Sequence, residues 1–280
     1  MRFFKVHGNG NDFVVLDNRE GRLSDEELRS AALTLCRRRT SIGADGVLVV
    51  EEAEGYDFRM RLFNADGSEG EMCGNGARAL ARLAFEEGFA PSPMRFVTLA
   101  GPVEATVTPP FVELDMGDID LRNGVFGQSL QVRGETFPYV FLTVGPPHCV
   151  LLTEEEYGRE EMFDMGRELR HDLERFPRGA NVTFARRAPG GDVRAVTYER
   201  GVEDLTDSCG TGCVATAIAA VLVWGLQSPL DVVNPGGTNS VKLAFAPGNE
   251  QVHAWLRGQT AIVASGTVLR ACGQQLCKRL

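Results

Sequence analysis

Several features that mark other protein classes are missing from this 280-residue chain. No run reaches the roughly 20 apolar residues that span a bilayer; the most apolar stretch, Cys213 to Leu226, is shorter and reads as a buried helix. The opening Met1-Arg2-Phe3-Phe4-Lys5-Val6-His7 has neither the long apolar core nor the small-residue cleavage site of a signal peptide, so it reads as a first strand and points to a cytoplasmic protein without a membrane partner. No basic run stands out, and Lys+Arg 29 against Asp+Glu 38 leaves a net charge of −9, which argues against a nucleic-acid partner. No G-x-x-x-x-G-K-S/T phosphate loop occurs. The seven cysteines are odd in number and lack the paired spacing of a disulfide framework. Cys209/Cys213 and Cys272/Cys277 have no nearby His or second pair to complete a zinc site, so no structural metal is expected.

One short pattern is present twice. Met72-Cys73-Gly74-Asn75-Gly76-Ala77-Arg78-Ala79 recurs as Ser208-Cys209-Gly210-Thr211-Gly212-Cys213-Val214-Ala215, with the cysteines 136 residues apart. With 7 Cys and 32 Gly, Cys-Gly-x-Gly arises by chance only about 0.1 times. Each copy sets a thiol before a glycine turn and an Ala-rich run, hence at a helix N-terminus, where the macrodipole and unpaired N–H groups favour a thiolate. A duplicated chain of this length predicts two domains, 1–118 (completed by 268–280) and 119–267, with a turn-rich passage at 117–127.

Apolar and β-branched segments between Gly, Asn and Asp turns predict strands at 3–7, 13–17, 47–51, 58–63, 94–99, 103–108 and 112–116. The second half repeats the plan, with strands near 131–132, 137–144, 149–152, 182–186 and 193–199 and further strands from 230 to 269. Ser24-Asp25-Glu26-Glu27 has the form of a capping box and opens a helix to about residue 37. A second helix runs from Gly74 to Glu87, stopped by Gly88, and a third, apolar on nearly every face, from Gly212 to Trp224. The fold class is α/β of the α+β type: two pseudo-symmetric domains, each a curved mixed sheet wrapped around a central helix.

Gly74-x-Gly76-x-x-Ala79 and Gly210-x-Gly212-x-x-Ala215 also satisfy the dinucleotide fingerprint, but polar loops stand before them where that fingerprint needs an apolar strand. Dinucleotide binding is thus a lesser alternative. Asn9-Gly10-Asn11-Asp12, Asn64-Ala65-Asp66-Gly67, Asn181 and Glu199-Arg200-Gly201 set amides and charges at strand ends and turns, where a small molecule carrying carboxylates and amines would be met. Taken individually, each reads first as an Asn or Asp satisfying its own turn.

Together, His7-Gly8-Asn9-Gly10-Asn11-Asp12-Phe13, Gly43-Ala44-Asp45-Gly46, Phe63-Asn64-Ala65-Asp66-Gly67-Ser68-Glu69, Cys73-Gly74-Asn75-Gly76-Ala77-Arg78, Pro147-His148, Glu199-Arg200-Gly201 and Cys209-Gly210-Thr211-Gly212 resemble the diaminopimelate epimerase family, in order and over nearly the whole chain. The resemblance implies a cofactor-independent epimerase that interconverts LL- and meso-diaminopimelate in lysine and peptidoglycan precursor biosynthesis. A racemase of another amino acid on the same scaffold is the alternative. By the same resemblance Cys73 and Cys209 are base and acid, and Asn11 and Glu199 hold the reacting end with help from His148. Asn64, Asn181 and Arg200 read the far amino-carboxylate end, and the helix starts at Gly74, Asn75, Gly210 and Thr211 receive the α-carboxylate. No cofactor or metal is implied, and a homodimer is expected. Three departures stand out. Gly145-Pro146-Pro147-His148 replaces a family Gly-Asn-Pro-His, Gly46 stands where some members carry Gln, and Cys209 follows Glu199 by ten residues.

Overall fold

A computed structural model describes residues 1–188 and 190–269. Cys272, Cys277 and the expected completing segment beyond residue 269 lie outside the described residues. The chain divides into two compact units, Met1–Leu114 joined by the chain from Gly258 onward, and Asp115–Arg257.

The first unit runs β1 (Arg2–Gly8), β2 (Asn11–Asp17), α1 (Asp25–Leu35), β3 (Gly46–Glu51), β4 (Arg59–Asn64), β5 (Glu69–Gly70), α2 (Gly74–Glu86), β6 (Met94–Thr98), β7 (Gly101–Thr108) and the start of β8 (Phe111–Asp120). Helix α1 is the crossover between parallel β2 and β3, as such a pair requires. Its capping box forms: Ser24 Oγ accepts from the Glu27 N–H, and the Ser24 N–H donates to Glu27 Oε2 at 2.9 Å. Leu28, Ala31, Ala32 and Leu35 bury the apolar side of α1 on Val14, Leu16, Val47, Val49 and Phe63. From β3 the chain pairs antiparallel into β4, β4 pairs with the two-residue β5, and β6 returns parallel to β4.

The second unit repeats this order: β9 (Val125–Val132), β10 (Glu135–Thr143), β11 (Pro147–Thr153), α3 (Arg159–Arg170), β12 (Asn181–Arg187), β13 (Val193–Glu199), β14 (Asp204–Thr206), α4 (Gly210–Trp224), β15 (Leu230–Asn234), β16 (Gly237–Phe245) and the first residues of β17 (Gln251–Thr267). Strands β11 and β12 are parallel across α3, β13 pairs antiparallel with β12 and β14, and β15 runs parallel to β13, the same pairings that relate β2 through β6. In both copies a short strand pairs with the end of its neighbour, and the chain turns through the cysteine into the glycine-led helix. Neither glycine pair follows a strand directly, since three non-strand residues intervene in each copy. That context separates both turns from a dinucleotide fingerprint.

Helix α4 is enclosed from Gly212 to Ala220 by a core containing Val140, Val150, Ala195, Val232, Val241 and Val252. Only its last turn reaches the surface, at Val223. Two expectations need correction. The stretch 117–127 is not a turn-rich passage: Gly117 to Asp120 continue β8, β9 begins at Val125, and the division between units falls earlier. Val112 and Leu114 are buried between half-buried neighbours, and Ile119 is buried between exposed Asp118 and Asp120, so the strand stays half-buried through its glycine and aspartates. Helix α3 was not anticipated, because charged residues dominate it and its buried face is short, made by Met165, Gly166 and Leu169. Gly166 is required there: a Cβ would stand 2.6 Å from Cβ of Tyr198 on β13.

Candidate active site

In the first unit Cys73 is the N-cap residue of α2, extended at φ −136°, ψ 119°. The first-turn N–H groups of a helix have no intrahelical acceptor, so its start is electropositive. Strand β1 crosses close to this turn at Gly8, where a Cβ would lie 2.7 Å from the Asn75 carbonyl oxygen. Asn11, the first residue of β2, places its Oδ1 3.4 Å from Cys73 Sγ and 3.4 Å from Asn75 Nδ2. Its Nδ2 donates to Asp45 Oδ2 at 2.7 Å. Asn75 in turn accepts at Oδ1 from the fully buried Arg78 at 2.7 Å. Asp12 and Asp45 exchange backbone N–H bonds, each 3.1 Å, and Arg38 bridges both carboxylates. Asn64, at the end of β4, is exposed and donates to Ser68 Oγ at 2.9 Å.

In the second unit Cys209 is the N-cap residue of α4, also extended, but 6% exposed. Its thiol hydrogen-bonds the Glu199 carboxyl at the end of β13, which also accepts from Thr206 Oγ1 at 2.5 Å. Cys209 Sγ lies 3.7 Å from Thr211 Oγ1, and that hydroxyl is 3.0 Å from His148 Nε2. Asn181 Nδ2 is 3.5 Å from the same imidazole nitrogen, while Asn181 Oδ1 accepts from the Arg200 backbone N–H at 2.8 Å. The Arg200 guanidinium bonds the Arg178 carbonyl. His148, Asn181, Glu199, Cys209 and Thr211 therefore form one connected group, reached by Arg200 through its backbone.

The electrostatics overturn one expectation. A helix N-terminus predicts a lowered thiol pKa, yet Cys209 is pushed well above the ordinary range, first by burial and then by the Glu199 charge; the Gly212 backbone N–H pulls it down less strongly. A single helix terminus contributes about 0.3–1 kcal/mol at a surface, less than the cost of enclosing a charge. Burial also raises Glu199, with Thr206 and Cys209 opposing. His148 is driven down to about 3 by burial and then by the Arg200 charge, so its ring is neutral at physiological pH. A thiol, a carboxyl group displaced upward and a neutral imidazole thus share one enclosed hydrogen-bond network, a setting that can hold and pass a proton.

These site residues are recognisable in the sequence, whereas Asp45, Arg78 and Thr206, which bond to them directly, are not among its candidates. Asp45 and Arg78 sit inside the strings that carried the family resemblance. Thr206 carries no local signal.

The fold is one shared with solved epimerases, racemases and phenazine biosynthesis proteins. A phenazine biosynthesis protein of the PhzF family from Bacillus anthracis superposes with a TM-score of 0.71 at 17% identity, covering 96% of this chain and 99% of that one. A hydroxyproline epimerase from Agrobacterium vitis gives 0.68 at 16%, covering 95% and 91%. Sequence narrows the assignment. The family model for diaminopimelate epimerase matches residues 3–121 and 140–253. Diaminopimelate epimerases from Archaeoglobus fulgidus (38% identical over 87% of this chain and 89% of that one) and a Synechococcus species (38%, 95% and 98%) are similar throughout. The chain belongs to the diaminopimelate epimerase family and is an epimerase of this type.

Proposed function

We propose that the protein interconverts LL- and meso-diaminopimelate by two-base proton transfer at Cα, with Cys73 and Cys209 as base and acid that exchange roles with direction. The observation that carries this reading is the duplicated N-cap thiol, each held beside an oxygen that accepts its hydrogen bond: Asn11 Oδ1 at Cys73, the Glu199 carboxyl at Cys209. A thiolate takes the α-proton from one face of the substrate, and the electron pair of the broken C–H bond moves into the α-carboxylate. The opposing thiol then gives its proton to the other face, which inverts the carbon and leaves the thiolate and thiol exchanged. Charge growing on the carboxylate meets the helix starts at Gly74, Asn75, Gly210 and Thr211, as at an oxyanion site. No imine cofactor enters this scheme.

Asn64, Asn181 and Arg200 serve the distal amino-carboxylate end, and Arg200 suits a carboxylate by its planar fork. A substrate lacking that end leaves polar groups unpaired at about 1–3 kcal/mol each, which favours diaminopimelate over a monocarboxylic amino acid. Pro146 offers no donor where family members carry an amide, so part of this recognition falls to Asn64 and Arg200. The reading places a cytoplasmic homodimer in lysine biosynthesis.

The test is α-proton exchange in D2O with LL-diaminopimelate beside a panel of neutral and aromatic amino acids. Deuterium enters Cα of diaminopimelate fastest, and Cys73→Ala or Cys209→Ala each lowers epimerisation by about 10²–10⁴-fold. Faster turnover of a neutral or aromatic amino acid makes this a racemase of that substrate, and near-normal activity in either alanine variant removes the two-thiol scheme.

A further inference from the structure

The bonds around Cys73 have a direction imposed by chemistry. An asparagine amide has a donor end and an acceptor end, and alone either end can face a neighbour. Arg78 can only donate, so the end of Asn75 that meets it is Oδ1, and the end of Asn75 turned to Asn11 is Nδ2. The Asp45 carboxylate can only accept, so the end of Asn11 that meets it is Nδ2. Both constraints leave the same atom, Asn11 Oδ1, facing Cys73 Sγ at 3.4 Å.

We infer that Asp45 is a positioning residue for this site: its acceptor-only carboxylate at one end, and donor-only Arg78 at the other, fix the direction of an amide relay from Arg78 through Asn75 and Asn11 that turns the Asn11 carbonyl oxygen toward Cys73. This rests on the reading that Cys73 is one of the two acid-base thiols. A carbonyl oxygen accepts a hydrogen bond from S–H and repels a thiolate, so the relay favours the proton-bearing form of Cys73. Asp45 is itself held from three sides. Arg38 Nη2 lies 2.8 Å from Oδ1, the Asp12 N–H donates to Oδ2, and the Asp45 N–H returns to Asp12 Oδ1. Lys5 closes the cluster by pairing with Asp12. Two segments distant in sequence, the start of β2 and the loop before β3, are thereby locked with the amide between them.

The test is pH-dependent alkylation of Cys73 with iodoacetamide in the full-length protein, read on the Cys73 peptide by mass spectrometry. Asp45→Ala removes the shorter of the two bonds that fix the Asn11 amide and leaves only the 3.4 Å contact from Asn75 to resist its rotation, so the donor end turns toward sulfur and Cys73 labels about tenfold faster below its pKa, a shift of about one unit. Asp45→Asn removes the charge but keeps an acceptor oxygen, and it stays near wild type. Equal shifts in both variants mean that only the Asp45 charge acts, and no shift in either means that the relay does not set the thiol; both results overturn the inference. Where the alanine variant fails to fold, Asp45→Ser, too short to reach Asn11, carries the same expectation. In an Asn11→Ala background, Asp45→Ala has no further effect on Cys73, and a persisting shift overturns the proposal. Labelling needs no turnover, so a failed diaminopimelate assay counts against the proposed function and leaves this result standing.

Discussion

The two copies of the cysteine–glycine turn share a backbone and differ in their surroundings. Both thiols are extended N-cap residues ahead of a glycine-led helix, after a short strand paired to the end of its neighbour. Cys73 is partly exposed and meets an amide oxygen whose direction comes from an ion-pair cluster open to solvent. Cys209 is enclosed and meets a carboxyl group, with a neutral histidine two bonds further along the network. Placing a sulfur at a helix start is therefore a local property, whereas its protonation is decided by what is packed around it. At Cys209, burial and one neighbouring carboxylate outweigh the hydrogen bond from the Gly212 N–H.

The comparison is broken most severely by removing the group that makes the second pocket different. Glu199→Gln takes away the charge that helps to hold Cys209 protonated and the carboxyl group that shares its proton. The expected outcome is a fall of about 10²-fold in epimerisation together with alkylation of Cys209 at lower pH. An unchanged Cys209 labelling profile would show that burial alone sets that thiol.

His148 sharpens the contrast through stability. Its folded pKa of about 3 lies below the ordinary 6.5, so the unfolded chain binds the extra proton first. Stability is then fully present above about pH 6.5 and is lost as pH falls toward 3, with a slope reaching about 1.4 kcal/mol per pH unit from this one residue. Denaturant unfolding between pH 7 and 4 measures it. The slope flattens in His148→Gln, and an equally steep slope in that variant assigns the effect to other groups.

The smallest effect comes from matching glycines. At Gly76 an added Cβ would meet Leu48 Cδ2 at 3.2 Å, the flexible end of a side chain. At Gly212 it would meet Thr197 Oγ1 at 3.0 Å and Cys209 Sγ at 3.1 Å. Gly76→Ala should cost about 1 kcal/mol of stability or less with activity retained, while Gly212→Ala displaces the sulfur and lowers kcat about tenfold at similar stability cost. Thermal melts with initial rates distinguish them, and equal loss of activity in both variants would mean that the two turns are interchangeable.

Much of the scaffold was legible because it depends on residues close in sequence. Ser24 and Glu27 are three residues apart and form their box. The all-apolar run after Gly212 required enclosure and received it, and the cysteines took the N-cap places that Gly-x-Gly and alanine dictated. Helix α3 escaped because its buried side is only one narrow stripe against β13, including a glycine chosen for close approach rather than for helix formation. The residues around each thiol were found as types at strand ends, but their partners were not.

By itself, then, the sequence determined the duplication, the two N-cap thiols and the family to which the chain belongs, because turns, caps and repeats are written over a few consecutive residues. Tertiary structure alone decided how each thiol is kept. His148 meets Thr211 across 63 positions of chain, Asn11 meets Asp45 across 34, and Glu199 reaches Cys209 by the fold of β13 and β14. Desolvation and through-space charge have no sequence range. They follow from which groups the packed chain encloses together, and that is why one motif yields two thiols with different surroundings.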